Sequence, residues 1–416
     1  MAKICDFIVL LLVILIFIIN ESISADISHE NCSEVSLDPD EERNAIQIIN
    51  SRGFKAETHF VITKDGYILG IHRIVNPNNT VDANRRPVLL QHGLLGSSTD
   101  WIINSPFLNA SDYHMHNSTS VGNNLGFVLS QNNFDVWLSN SRGNTYSTNH
   151  TTLKTRDKKF WKFTFDEMIA YDLPSIIDYI LKQTNHSSLA YIGHSQGTAI
   201  MFGLLASRPE YSQIIDPFIA LAPVAYVSHI KSPIRYFAEL SSALRFIGGE
   251  FLPSDKFVRL LAEEFCDKRL RFICSNILFL MSGFDENQLN MTRLGVYFTH
   301  TPSGTSSWNV AHFGQLVESS TYRKFDFGKD ENEIIYGQKT PPDYDLSSIN
   351  STKIALIYSL NDWLADINDV NVLKQQLKVP LMYDYLVPNN KWTHVDYIFG
   401  KDAGVYVYPK ILDILK

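Results

Sequence analysis

The sequence predicts an α/β fold: a mostly parallel sheet, covered by helices on both faces and interrupted by a long helical insertion. Short, continuously apolar runs alternate with helical patterns at Pro87–Gly93, Phe134–Ser139, Leu189–Gly193 and Phe218–Val227. Strands buried on both faces read as such runs, and their alternation with helices implies parallel pairing. From about Ser228 to Ser348 that rhythm stops, and strand grammar returns at Lys353–Ser359 and Leu381–Val387. A helical stretch bounded by strands of one sheet is an insertion, and it should cover the strand ends where such sheets place ligands. The expected organisation is a leader over 1–25, a first core part over 26–227, the insertion over 228–348, and a second core part over 349–416.

Each element has its own signal. Residues 1–25 carry Lys3, an apolar run from Phe7 to Ile19, and then small residues Ser22, Ser24 and Ala25. The run is shorter than the roughly 20 residues a membrane span needs, so it reads as a cleaved secretory signal rather than an anchor. N-x-S/T sequons at Asn31, Asn78, Asn109, Asn117, Asn149, Asn185, Asn290 and Asn350 agree with a glycosylated protein that enters the secretory pathway. Once Cys5 leaves with the signal, Cys32, Cys266 and Cys274 remain. Cys266 and Cys274 stand close enough in sequence to close a short loop, leaving Cys32 free or in another contact.

Glu41–Asn50 reads as a short helix ended by Gly53. His59–Thr63 and Tyr67–Ile74 are strands joined by the turn Lys64-Asp65-Gly66. Phe165–Gln183 is helical, with a restart marked by Leu173-Pro174. The net charge of −8 and the absence of a dense Lys/Arg block argue against a nucleic-acid partner. Lys154, Arg156, Lys158 and Lys159 are mixed with acid and read as a solvated turn.

The chemistry centres on Leu189–Ala199, where an apolar strand ends in Gly193-His-Ser-Gln-Gly197 and a helix follows at once. A G-x-S-x-G elbow holds its serine on a strained turn, so its flanking positions must be small, and the helix start aims N–H groups at a nearby oxyanion. A serine hydroxyl needs a histidine to take its proton and an acid to orient that histidine, in the chain order serine, acid, histidine. The strand ending at Ser359 is followed by Asp362, with Asp366 and Asp369 as rivals. The strand ending near Val387 is followed by His394, which has no other histidine after it. Asp362, nearest its strand end, takes the orienting role. His92, at the end of its strand, reads as structural rather than as a base. His114 and His116 are loop histidines without a third ligand, so no metal site is indicated.

These motifs resemble the animal acid lipase family, which includes gastric and lysosomal acid lipases and insect relatives. The stretches that carry the likeness are Val61–Gly70, Leu90-Gln-His-Gly-Leu-Leu95, Val136–Asn144, Phe165-Asp-Glu-Met168, Tyr171-Asp-Leu-Pro174, Gly193–Gly197, Asp362-Trp-Leu-Ala-Asp366 and His394-Val-Asp396. The resemblance implies an α/β-hydrolase fold with a helical cap and lid over Ser228–Ser348. It places nucleophile, acid and base on Ser195, Asp362 and His394, the oxyanion-hole N–H groups on Leu94 and Gln196, and a disulfide on Cys266 and Cys274. That cysteine pair is one residue closer than in the gastric enzymes, and Ser282 stands where several members keep a third cysteine. The expected activity is hydrolysis of neutral lipid esters, triacylglycerols or sterol esters, through an acyl-enzyme and without cofactor or metal. An esterase for small soluble esters and a non-catalytic lipid carrier are the competing readings. The expected partner is lipid at an oil–water interface, with no nucleic acid and no stable transmembrane anchor. The protein should be a monomer, secreted or held in the lysosomal lumen.

Overall fold

The turn at Lys64-Asp65-Gly66 starts the sheet. Gly66 takes φ +100°, Thr63 Oγ1 donates to Asp65 at 2.6 Å, and β1 (Lys55–Ile62) folds back antiparallel on β2 (Tyr67–Val75). The computed structural model describes residues 38–77, 84–106, 122–252 and 281–416. Within them Pro39–Lys416 forms one compact unit. The signal segment, Cys32, Cys266, Cys274, His114, His116 and the sequons at Asn31, Asn78, Asn109 and Asn117 lie outside the described residues.

The remaining strands are β3 (Pro87–Gln91), β4 (Asp135–Leu138), the short β5 (Asn149–His150), β6 (Leu189–His194), β7 (Ile215–Leu221), β8 (Glu250–Phe251), β9 (Thr305–Ser306), β10 (Ile354–Tyr358) and β11 (Tyr383–Leu386). Among the described residues the main sheet runs β1-β2-β4-β3-β6-β7-β10-β11, with β5 paired to β2. From β4 to β11 all neighbours are parallel. Every residue of β3, β4, β6 and β10 is buried, the signature of a sheet with both faces covered. By contrast β11, at the edge, alternates between half-buried and exposed.

The longer helices among the described residues are α1 (Ala45–Ser51), α2 (Leu125–Gln131), α3 (Leu173–Thr184), α4 (Gln196–Ser207), α5 (Ser241–Ile247), α6 (Leu294–His300), α7 (Ser307–Ser319), α8 (Lys329–Tyr336), α9 (Ile367–Gln376) and α10 (Tyr408–Leu415). A helix apolar on all sides must be buried on all sides, and α4 is buried without a break from Gln196 to Leu205. Between β7 and β10 the described chain is mainly helical, from α5 to α8, with β8 and β9 as its only strand pair there. No helix among the described residues is long and apolar enough to cross a membrane.

Several boundaries differ from the sequence reading; the first helix, for one, begins at Ala45 behind its Asn44 cap and not at Glu41. The first strand begins at Lys55, because pairing with β2 continues to Val75. The strand expected to reach Val227 stops at Leu221, since Ala222 adopts φ +48° and turns the chain out of the sheet. The helix expected over Phe165–Gln183 contains a π-helical turn at Met168–Asp172 before α3. A π turn inserts one residue and re-aims the side chains after it; here Asp172 receives Arg142.

Candidate active site

In the strand order, β4 lies on one side of β3 and β6 on the other. The connections leaving β3 and β6 therefore diverge around a crevice at the carboxyl end of the sheet, the position where open α/β sheets bind ligands. Ser195 sits at the tip of β6 with φ +54° and ψ −120°, strained for any residue other than glycine. The elbow closes because its neighbours lack side chains. A Cβ on Gly193 would lie 2.7 Å from the Gly197 carbonyl, and one on Gly197 would lie 2.4 Å from the Gln91 carbonyl. Gly93, after β3, is confined less severely, since a Cβ there would stand 3.1 Å from Ser195 Cβ. The β3 loop thus comes close to the serine.

The two residues that the resemblance gives as oxyanion donors are Gln196, next to Ser195, and Leu94, next to Gly93. Gln196 opens α4, and the first N–H groups of a helix have no partner within it. Leu94 lies in the turn Gly93–Gly96, closed by Gly96 N–H donating to the Gly93 carbonyl at 3.2 Å, with Leu95 at φ +63°. His92 braces that turn. Its Nδ1–H donates to the Gly93 carbonyl at 2.7 Å, and its Nε2 accepts Ser141 N–H at 3.0 Å. Burial pushes the His92 pKa down to about 4, which keeps the ring neutral and both roles intact.

The Asn140–Asn144 loop after β4 completes the brace. Asn140 Oδ1 accepts Ser98 N–H at 2.9 Å, and Asn144 Nδ2 donates to the Gly96 carbonyl at 3.4 Å. Between them Arg142 is fully buried. It contacts Asp172 through Nε at 3.0 Å and Asp65 through Nη1 at 2.6 Å, and lies 4.0 Å over the Tyr67 ring. Burial disfavours its charge, but the two carboxylates overcome this and push its pKa up. The sequence reading matched this loop to the family without finding a role for its residues. A lone arginine amid Ser, Gly and Asn carries no signal that two distant aspartates will meet it.

The structure brings Asp362 and His394 together. His394 Nδ1 lies 3.0 Å and 2.9 Å from the two carboxylate oxygens. A carboxylate can only accept, so the ring carries its proton on Nδ1 and leaves a lone pair on Nε2. Asp362 is buried and held by Leu364 and Ala365 N–H groups at 2.8 and 2.7 Å. The rivals are engaged elsewhere: Asp366 caps α9 and pairs with Lys231, and Asp369 takes Ser228 and His229.

His394 is tied to the elbow through its backbone. The neighbouring His194 donates Nε2–H to the His394 carbonyl at 2.8 Å. Burial, with His394 nearby, pushes the His194 pKa down to about 3, so this support stays neutral. No hydrogen bond closes between Ser195 Oγ and the His394 ring among the described residues. The expected disulfide lies outside the described residues. Of the described sequons, Asn149, Asn185 and Asn350 are exposed, whereas Asn290 is half-buried with its side chain accepting Thr292 N–H. No group of residues that could hold a metal ion occurs among the described residues.

A serine on an elbow at the crevice of a parallel α/β sheet defines the class, an α/β hydrolase. A family model described as the α/β hydrolase fold matches residues 86–390, and one described as a partial α/β-hydrolase lipase region matches 45–105. The chain is 40% identical over 381 residues to lipase member J of Homo sapiens, covering 90% of this chain and 99% of that one. It is 39% identical over 388 residues to the lysosomal acid lipase/cholesteryl ester hydrolase of Homo sapiens, with 92% of each covered. It is 40% identical over 389 residues to the gastric triacylglycerol lipase of Bos taurus, covering 92% of this chain and 93% of that one. The chain belongs to the acid lipase family of the α/β hydrolases.

Proposed function

We propose that the protein is a serine lipase that hydrolyses carboxylic esters of neutral lipids, triacylglycerols or sterol esters, through an acyl-enzyme. The observation that carries this reading is the Asp362 carboxylate on His394 Nδ1, with the His394 backbone fastened to the residue before Ser195. The names of the relatives supply the ester class.

In the first step His394 Nε2 takes the Ser195 proton as Oγ bonds to the ester carbonyl carbon. The carbonyl oxygen becomes an oxyanion between the N–H groups of Leu94 and Gln196, each donor contributing about 3–4 kcal/mol to the transition state in comparable sites. His394 then gives its proton to the departing alcohol as the C–O bond breaks. Water, deprotonated by the same nitrogen, releases the fatty acid and restores Ser195. Asp362 holds the tautomer and stabilises the transient imidazolium. Residues 228–348 serve as a cap over the acyl site, and the protein reaches a secreted or lysosomal destination as a glycosylated monomer.

The test pairs labelling with turnover. A fluorophosphonate should label the native protein and fail on Ser195→Ala, which should lose hydrolysis of triolein, cholesteryl oleate and a short-chain ester alike. Full turnover by Ser195→Ala would end the mechanism. Turnover of the short ester alone would remove the lipase assignment and leave an esterase.

A further inference from the structure

We infer that the segment Ser303–Asn309, on the sheet-facing side of the helical insertion, is a positioning element that fixes the spacing of the two oxyanion donors; this rests on the Ser195 reading above. Two contacts of different kinds carry it. The main-chain N–H of Ser303 donates to the Leu95 carbonyl at 2.7 Å, beside Leu94. Further along, the Asn309 amide donates from Nδ2 to the side-chain Oε1 of Gln196 at 2.7 Å. One short stretch of chain therefore grips the neighbour of one donor and the side chain of the other.

The sheet alone does not supply this spacing. Pairing between β3 and β6 ends at Gln91 with Gly193, and both donors lie beyond that last rung, Leu94 on the turn after β3 and Gln196 at the start of α4. An oxyanion hole works because its dipoles are already aimed when charge develops, so a loop free to drift loses the benefit. The bridging segment is itself anchored. The Ser303 carbonyl accepts Thr145 N–H at 2.9 Å, Thr305 and Ser306 pair with β8, and Ser306 Oγ caps α7 and donates to the Trp161 carbonyl. Asn309 Nδ2 also donates to Thr305 Oγ1 at 3.2 Å. Ser303, Thr305, Ser306 and Asn309 are all buried. Neither Ser303 nor Asn309 touches the reacting atoms; both act through Leu95 and Gln196.

The experiment replaces Asn309 by leucine, of similar size but without a donor, and compares kcat, KM and two inhibitors on the purified full-length protein. A trifluoromethyl ketone adds to a serine and places an oxyanion in the hole; a long-chain alcohol occupies the acyl site without doing so. Asn309→Leu should lower kcat by about ten- to a hundredfold, as expected for displacing rather than deleting a donor, with KM within about twofold. Ketone affinity should fall by the same factor as kcat/KM, while alcohol affinity stays unchanged. Gln196→Met cuts the same bond from its other end and keeps the main-chain N–H. It should show the same correlation, and the double variant should lose no more than either single one. If Asn309→Leu does not fold, Gln196→Met alone decides. Ketone affinity that stays at the native value while kcat falls, or an unaltered kcat, would overturn the brace. If Ser195→Ala is inactive in that same assay, only the brace is lost; if Ser195→Ala is active, the underlying mechanism fails.

Discussion

The two halves of the site are built on opposite plans. Ser195, Gln196 and Leu94 emerge directly from β6 and β3, central strands buried along their whole length, and the elbow is packed so tightly that added methyl groups would meet backbone. Asp362 and His394 emerge from β10 and β11, toward the edge of the sheet, and their loops depend on contacts outside it. The Ser282 carbonyl accepts N–H groups from both Trp363 and His394 at 3.3 Å, and Asn361 Nδ2 donates to the Phe284 and Lys391 carbonyls. The Ser195 elbow is therefore set by strand pairing and close packing, the Asp362–His394 pair by polar contacts between loops. Apart from Ser195 and Gln196, substitutions in the packed half should act first through stability, and those in the second half through turnover.

The largest effect expected is on the relay. Asp362→Asn should lower kcat by roughly ten-thousandfold, because the amide disfavours the required tautomer, whereas Asp366→Asn and Asp369→Asn should stay within about threefold. Steady-state kinetics with matched melting curves separate these outcomes, and a larger loss at Asp366 would reassign the acid. Next comes Arg142 on the nucleophile side. Arg142→Met leaves Asp172 and Asp65 without their cation, and breaking such a buried pair costs about 3–5 kcal/mol. Denaturant titration should show that loss, with kcat per folded molecule changing far less than for Asp362→Asn.

The smallest effect concerns pH. Burial raises the pKa of Asp396 to about 8, Asp100 to about 7, Glu167 to about 7 and Asp166 to about 6. A raised folded-state pKa means that the contribution is complete below the unfolded values of 3.8 and 4.5 and is lost as pH climbs through about 6 to 8. His72, His92, His194 and His312 run the other way. Burial holds them at about 4, 4, 3 and 3, so their contribution is complete above 6.5 and lost as pH falls below it. Between pH 8 and 6.5 the carboxyls outweigh the histidines, which are only beginning to protonate in the unfolded chain, and the melting temperature should rise as pH falls. Asp396→Asn should stabilise the protein at pH 8 more than at pH 6.5 and so flatten the rise. Scanning calorimetry at the two pH values checks it, and an unchanged slope would show that Asp396 does not ionise in that window.

Much of this was legible in the chain. The elbow is local: strand, Gly193, Ser195, Gly197 and helix are contiguous, and the backbone demands of that turn can be read from five residues. Asp362 was legible because strand ends position acids, and His394 because no later histidine competes. The overrun at Val227 and the π turn at Met168–Asp172 were not legible. Apolar residues continue past Leu221, and only the positive φ at Ala222 takes them out of the sheet.

The sequence by itself determined the alternation of buried strands with helices, the elbow, and the order of serine, acid and histidine, since each follows from residue type and spacing along the chain. Tertiary structure alone decided which groups His92 braces, that Arg142 joins Asp65 to Asp172, and that Ser303 and Asn309 reach Leu95 and Gln196. Those contacts join residues far apart in sequence, and a hydrogen bond depends on where folding brings its donor and acceptor, which local propensity does not encode.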